Sequence, residues 1–254
     1  SMEEYIKMKL KAIKNLKQDG CIVYNIDDEN LDQALSPISK RKIPFSLIKQ
    51  DALFYVNGNI IYGPSNNKLI ELDDISIPGD HNLYNFLAAA TCSHFMGISN
   101  DQITKTMRQF KGVEHRLEHV ASINGTEYIN DSKATNIESV IVAIKTFNKP
   151  IVLILGGYNK GTNFRLLLPH IKSSHVRDIV SYGEAGGHIN TALGDAVRSL
   201  QVSDLNSAVR KAHSMATPGD IVLLSPGCAS YDEFPNFEVR GKYFKTLVKK
   251  VETI

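Results

Sequence analysis

The chain has 254 residues, 43% of them hydrophobic and 22% charged, with a formal net charge of +2. That length holds one large domain or two modest ones, and the dispersed lysines leave no nucleic-acid footprint. No apolar run approaches the roughly 18 residues of a membrane helix, and Cys21, Cys92 and Cys228 lack the spacing of a disulfide framework or a zinc site.

The charged start Met2-Glu3-Glu4-Tyr5-Ile6-Lys7 does not read as a signal peptide, so a reducing cytoplasm is expected. The same residues open a helical pattern, with Tyr5, Met8, Ile13 and Leu16 near one face and five lysines elsewhere. A helix with no lead-in is expected to be the interior of a longer protein. A short strand follows, Cys21-Ile22-Val23-Tyr24, closed by the turn-like Asn25-Ile26-Asp27-Asp28. Leu53 to Val56 and Ile60 to Tyr62 flank Asn57-Gly58, a hairpin signal because both turn residues tolerate positive φ. Two helices are expected next, from about Asn82 to Phe95 and from Asn100 to Phe110. The first opens with Gly79-Asp80-His81-Asn82-Leu83-Tyr84-Asn85 and puts Asn82 and Asn85 three apart on one face. That pair fits a nucleobase edge and fits an N-cap plus a polar helix position equally well.

A domain boundary is expected near Phe110-Lys111-Gly112, dividing the chain into 1–112 and 113–254. Just beyond it, His115-Arg116 offers an arginine that could reach a nucleotide, or one that is merely exposed. From there strands and helices alternate, which predicts an α/β domain with a mostly parallel sheet. Asn124-Gly125 marks a second hairpin. Helix stripes fall at Ile137/Val140/Ile141/Ile144, Leu205/Ala208/Val209/Ala212 and Phe244/Leu247/Val248/Val251.

Three polar stretches each follow an apolar, β-rich run: Asn130 to Asn136, Gly156 to Gly161, and Ser225 to Ser230. Ligands of open α/β sheets bind outside the carboxyl ends of the strands, so this edge should hold something anionic. In Asp131-Ser132-Lys133-Ala134-Thr135-Asn136 a helix start offers unpaired N–H groups, Lys133 a charge and Thr135 a hydroxyl. Capping needs only one such residue, and six polar or small residues in a row favour a binding role. Gly156-Gly157-Tyr158-Asn159-Lys160-Gly161 permits close approach to the backbone and adds a cation. By itself it is weak, since glycine turns after strands are common. Ser230 fits a plain cap for the last helix, and Cys228 fits a buried structural thiol better than a nucleophile.

Taken with Lys9, Asn25 to Asp28, His81-Asn82-x-x-Asn85 and Cys-Ala-Ser-x-Asp-x-Phe-x-Asn-Phe at 228–237, these motifs resemble the Mur ligase family over nearly the whole chain. The Asp131 to Asn136 string resembles its D-glutamate-adding branch. The resemblance implies a C-terminal Rossmann-like domain with flanking helices, preceded by part of a central ATP-binding domain. It implies an ATP- and Mg²⁺-dependent carboxylate–amine ligase of peptidoglycan precursor synthesis, acting as a monomer. ATP would phosphorylate the alanyl carboxylate of UDP-N-acetylmuramoyl-L-alanine, and the amine of D-glutamate would attack the acyl phosphate. On this resemblance Lys9 would be the carbamylated lysine that helps hold Mg²⁺, and Asn82 and Asn85 would contact adenine. Arg116 and Asp131 would meet other parts of the nucleotide, and Lys133 would lie near the reacting phosphate. Lys160 and Thr135 would bind the α-carboxylate of D-glutamate, and Ser230 and the Phe237 backbone its side-chain carboxylate.

The sequence departs from the family pattern in three places. These residues contain no P-loop, and the upstream His and Glu that complete the Mg²⁺ contacts are missing with the UDP-binding domain. The chain is therefore expected to begin within the central domain, to fold, and not to ligate by itself. Asn159 stands where an acidic residue is usual. Two rivals carry less: a folylpolyglutamate synthase-like ligase, against which the Asp131 to Asn136 string speaks, and a non-catalytic nucleotide-binding module, whose G-x-G-x-x-G is missing.

Overall fold

The computed structural model describes residues 2–77 and 79–251, and its contacts divide the chain into two units, Ser1–Lys111 and Gly112–Ile254. The first unit contains α1 (Met2–Leu10), β1 (Cys21–Asn25), α2 (Glu29–Leu35), β2 (Arg41–Ser46), β3 (Phe54–Asn57), β4 (Ile60–Gly63), β5 (Asn67–Glu71), α3 (Asp80–Phe95) and α4 (Asn100–Gln109). Its five strands form one sheet in sequence order. The pairs β1–β2 and β2–β3 are parallel, whereas β3–β4 and β4–β5 are antiparallel. Phe45, Phe54, Ile61 and Ile70 of the sheet pack with Phe86, Leu87, Ala90, Ile103 and Met107 of α3 and α4.

Two details differ from the pattern reading. The β3–β4 turn is Gly58-Asn59, because Asn57 pairs with Ile60, and only Gly58 takes positive φ, at 59°. The glycine leads the two-residue loop, which is the arrangement that matches strand twist with a single positive φ. The first helix is also shorter than its apolar spacing suggests. It ends at Leu10 and tightens into a 3₁₀ turn over Lys11–Asn15, and Tyr5 and Met8 are exposed rather than on a packed face.

The second unit contains β6 (Glu118–Ile123), β7 (Thr126–Asn130), α5 (Ile137–Thr146), β8 (Ile151–Gly156), α6 (Leu168–Lys172), β9 (Val176–Tyr182), α7 (Gly186–Leu193), β10 (Arg198–Gln201), α8 (Leu205–Met215), β11 (Ile221–Gly227) and α9 (Phe237–Val251). The six strands are ordered β10-β9-β8-β11-β7-β6. All neighbours are parallel except β6–β7. That hairpin turns on Asn124 and Gly125, both at positive φ (49° and 80°), as a two-residue primed turn requires.

Every residue of β8 and β11 is buried, as expected of parallel strands covered on both faces. Ile137, Val140, Ala143 and Ile144 of α5 cover one face with Ile171 of α6 and Ile189 and Leu193 of α7. The stripes Leu205/Ala208/Val209/Ala212 of α8 and Phe244/Leu247/Val248/Val251 of α9 cover the other. The connection from β8 thus leaves to one face and that from β11 to the opposite face, so their carboxyl ends form the topological switch point. No helix of the described residues is long and apolar enough to cross a membrane.

Candidate functional site

The loops after β7, β8 and β11 are bound to each other before they offer anything to a ligand. The Asp131 amide donates to the Leu224 carbonyl (2.8 Å), the Gly227 amide to the Ala134 carbonyl (2.9 Å), and the Tyr158 amide to the Ala229 carbonyl (2.9 Å). Such contacts need bare backbone at Gly156 and Gly157, with φ of 149° and 124°. A Cβ on Gly156 would lie 2.2 Å from the Tyr182 carbonyl oxygen.

The loop after β7 ends on Asn136, whose Oδ1 accepts the Ser139 amide and caps α5. Asn136 is therefore the capping residue, and Lys133 and Thr135 are left exposed. In the loop after β8, Asn159 Oδ1 accepts the amides of Gly161 and Thr162, both at 3.0 Å. This Asx turn projects Lys160 into solvent. The turn needs only a side-chain oxygen at 159, which asparagine supplies as well as an acid would.

In the loop after β11, Ser230 is buried, and its carbonyl accepts the amides of Glu233 and Phe234. It does not cap α9. That role belongs to Asn236, whose Oδ1 accepts the Val239 amide at 2.8 Å. Cys228 is buried, and burial pushes its thiol up to about 12. It is inert as a nucleophile.

Two cations of the site rest on rings from the β11–α9 segment. Lys133 Nζ lies 4.9 Å from the Phe237 ring centroid and Lys160 Nζ 5.6 Å from that of Tyr231. Within this unit the structure therefore gathers Lys133, Thr135, Lys160, Ser230 and Phe237 on three mutually bonded loops. Ser132 Oγ donates to the Phe237 carbonyl (2.8 Å). As the first residue of α9, Phe237 keeps an N–H with no intrahelical acceptor.

Asp131 is buried beneath these loops, with Oδ2 accepting from Ser225 Oγ (2.8 Å) and Oδ1 from the Leu117 amide (3.2 Å). Burial raises its pKa from 3.8 to about 6, opposed by those hydrogen bonds and by the Arg116 charge. A carboxyl whose pKa rises on folding stabilises the fold fully below the unfolded value, and that contribution is lost as pH climbs through the folded one. Asn at 131 keeps an acceptor for Leu117 and a donor for Ser225. Asp131→Asn should therefore raise stability at neutral pH by about 1–3 kcal/mol. It should also abolish the stability decline centred between about pH 4 and 6 in urea titrations. An unchanged decline in the variant would assign it to another group.

Arg116 is exposed on a backbone held in unusual geometry, between His115 (φ 67°) and Leu117 (φ 44°). His115 is buried with Nδ1 3.0 Å from Asn130 Nδ2, and burial lowers its pKa. A Cβ on Gly241 would lie 2.2 Å from this ring. Glu114, His115 and Glu118 have the spacing of a cation site, but Lys245 Nζ already binds both carboxylates, at 2.9 and 2.6 Å.

Lys9, Asn82 and Asn85 belong to the other unit. Lys9 is exposed on α1 with Nζ 5.3 Å from the Tyr5 ring centroid, the i,i+4 neighbour. Asn82 is buried in the first turn of α3 and Asn85 is exposed one turn on. Asp27 anchors that end of the helix, accepting Ser46 Oγ (2.6 Å), the Leu47 amide (2.7 Å) and Tyr84 Oη (3.1 Å).

Sequence reasoning missed Arg240. It is the largest fully buried side chain of the described residues, and it donates to Ser132 and to the carbonyls of Cys228 and Ala229. Its signal was present, since it stands four residues before Phe244 on the apolar stripe of α9.

A family profile described as "Mur ligase middle domain" matches residues 1–93, and one described as "Mur ligase, glutamate ligase domain" matches residues 115–228. A UDP-N-acetylmuramoylalanine--D-glutamate ligase of Alkaliphilus oremlandii is 40% identical over 257 residues, covering 98% of this chain and 56% of that relative. The chain spans a little over half the length of the curated relatives it matches. Among solved structures, a pseudomurein peptide ligase type C from Methanothermus fervidus superposes with a TM-score of 0.71 at 15% identity, covering 99% of this chain and 60% of that one. A MurF ligase from Thermotoga maritima in complex with ADP gives 0.70 at 14% identity, covering 99% and 59%. At such identities these structures speak for the fold alone.

Proposed function

Because the chain belongs to the Mur ligase family, we propose that its residues serve an ATP-dependent ligase that joins D-glutamate to UDP-N-acetylmuramoyl-L-alanine in a cytoplasmic, monomeric enzyme. The observation that carries the acceptor assignment is the cluster at the switch point. Exposed Lys133, Thr135 and Lys160 lie on loops bonded to the segment that holds Ser230 and Phe237. A dicarboxylic amino acid needs two sets of donors, and the ammonium, hydroxyl and amide groups on these loops are of the kind that supply them. Lys160 and Thr135 meet the α-carboxylate; the Ser230 hydroxyl and the Phe237 N–H meet the side-chain carboxylate.

A carboxylate is a poor acyl donor until a leaving group is installed, and ATP supplies that group as phosphate. Lys133 offsets the negative charge of the reacting phosphate, while the acceptor loops hold the D-glutamate amine in line for attack. In the first unit Asn82 and Asn85 are assigned to adenine; in the second unit Arg116 and Asp131 are assigned to other parts of a nucleotide. Both carboxylate oxygens of Asp131 already accept protein hydrogen bonds, so it acts chiefly by holding Leu117 beside Arg116.

For Mg²⁺ the described residues are insufficient. Lys9, as a carbamate, would give one ligand, but among the described residues the one cluster with ligand spacing is Glu114–His115–Glu118, which Lys245 already fills.

Phosphate release tests the reading. A polypeptide that carries these residues together with a P-loop should release phosphate only with ATP, the UDP-linked precursor and D-glutamate present. The 254 residues alone should release none, because they contain no backbone cradle for the phosphates. Turnover by the 254 residues alone, or equal use of other amino-acid acceptors, would contradict it.

A further inference from the structure

We propose that Arg240 is the positioning residue of the acceptor site: its buried guanidinium sets the spacing of the three strand-end loops and supplies a buried positive charge that a dicarboxylate acceptor neutralises. The second half rests on the acceptor reading above; the first stands on geometry alone.

Arg240 lies in the first turn of α9 and is 0% exposed. Nε donates to Ser132 Oγ (3.0 Å) and Nη2 to the Ser132 carbonyl (2.8 Å). Nη1 donates to the carbonyls of Cys228 (3.0 Å) and Ala229 (3.2 Å). Each tie sits beside a residue of the site. Ser132 precedes Lys133, and its hydroxyl passes the contact on to the Phe237 carbonyl. Ala229 precedes Ser230, and its carbonyl also accepts the Tyr158 amide from the loop that carries Lys160. The backbone at Gly157 runs so close that a Cβ there would stand 3.0 Å from Nη1. One planar fork thus fixes loops that are nearly a hundred residues apart in sequence.

The acceptors of this fork are three carbonyls and a hydroxyl, all neutral. A buried charge with no carboxylate among its hydrogen-bond partners is unfavourable, and here it is bonded to the loops that carry the donors assigned to the acceptor. Its field is felt nearby, where it draws down the ionisations of Cys228, Tyr182 and Glu233 against the burial that raises them. A carboxylate ligand entering above the loops would balance it. Lysine keeps the charge and loses the fork, since an ammonium is a compact point donor that cannot span four acceptors on three backbone positions.

The test uses Arg240→Lys in the 254-residue chain, with Ser132→Ala as a milder variant that leaves the guanidinium in place. D-glutamate affinity is measured by calorimetry, and backbone amide shifts by NMR. In Arg240→Lys the affinity should fall at least about tenfold while unfolding stays cooperative, and the amides of Lys133, Tyr158 and Ser230 should shift together. Ser132→Ala should move Lys133 and Phe237 and leave Tyr158 in place, and it decides the proposal if Arg240→Lys does not fold. Affinity within about twofold of the parent, or shifts confined to α9, would overturn the proposal. If the parent chain binds no D-glutamate, the acceptor reading and the charge-balancing role fall, and the amide shifts judge the positioning role by themselves.

Discussion

Lys160→Ala should weaken D-glutamate binding by about 10- to 100-fold, the range expected for losing one charge-assisted hydrogen bond to a carboxylate. The substitution should do little else. Asn159 Oδ1 holds the turn through the amides of Gly161 and Thr162 whatever side chain stands at 160. Lys160 is exposed, and among the described residues its ring contact with Tyr231 is the one interaction lost. That cation–π contact at an exposed ring is worth about 0.5–1 kcal/mol, so the melting temperature should barely move. In a ligase that contains these residues and a P-loop, ATP affinity should stay within about twofold of the parent. Equal losses for ATP and D-glutamate would remove Lys160 from the acceptor pocket.

Gly157→Ala should destabilise the chain by about 3–5 kcal/mol, summing backbone strain with forced repacking. Gly157 sits at φ 124°, where a side chain is strained before any contact is counted. Its new Cβ would also meet the Ala229 carbonyl oxygen at 2.3 Å and Arg240 Nη1 at 3.0 Å. Neither neighbour can withdraw, because the Ala229 oxygen accepts both Tyr158 and Arg240. Gly161→Ala is the control. It too has positive φ, at 80°, but nothing stands within 4 Å of its Cβ, so the expected loss is only about 1–2 kcal/mol. Urea unfolding of the two variants checks the difference. Equal losses would mean that the Gly157 backbone is not pinned between the loops.

Local rules made the second unit readable. The run Ile151 to Leu155 reads as a strand covered on both faces and forms one, Asn124-Gly125 reads as a hairpin turn and takes two positive φ values, and the helix stripes bury as spaced. Side chains whose job depends on a distant partner were not readable. Arg240 stands on the apolar stripe of α9, but only the fold brings it the partners, Ser132 and Ala229, that let it be buried there. Ser230 also fitted a plain cap, but six residues separate it from α9, and Asn236 does the capping. Tyr5 and Met8 had helical spacing without a surface to pack on in the described unit. Periodicity reports that a face is apolar, not that something covers it.

The most direct test of the acceptor pocket is an NMR titration of the 254-residue chain with D-glutamate, with L-glutamate as the control. Saturable shifts should appear at the amides of Lys133, Thr135, Lys160, Ser230 and Phe237, with Asn82 and Asn85 unmoved and L-glutamate far weaker. Shifts absent from those five amides, or equal for the two enantiomers, would contradict the assignment of these loops to D-glutamate.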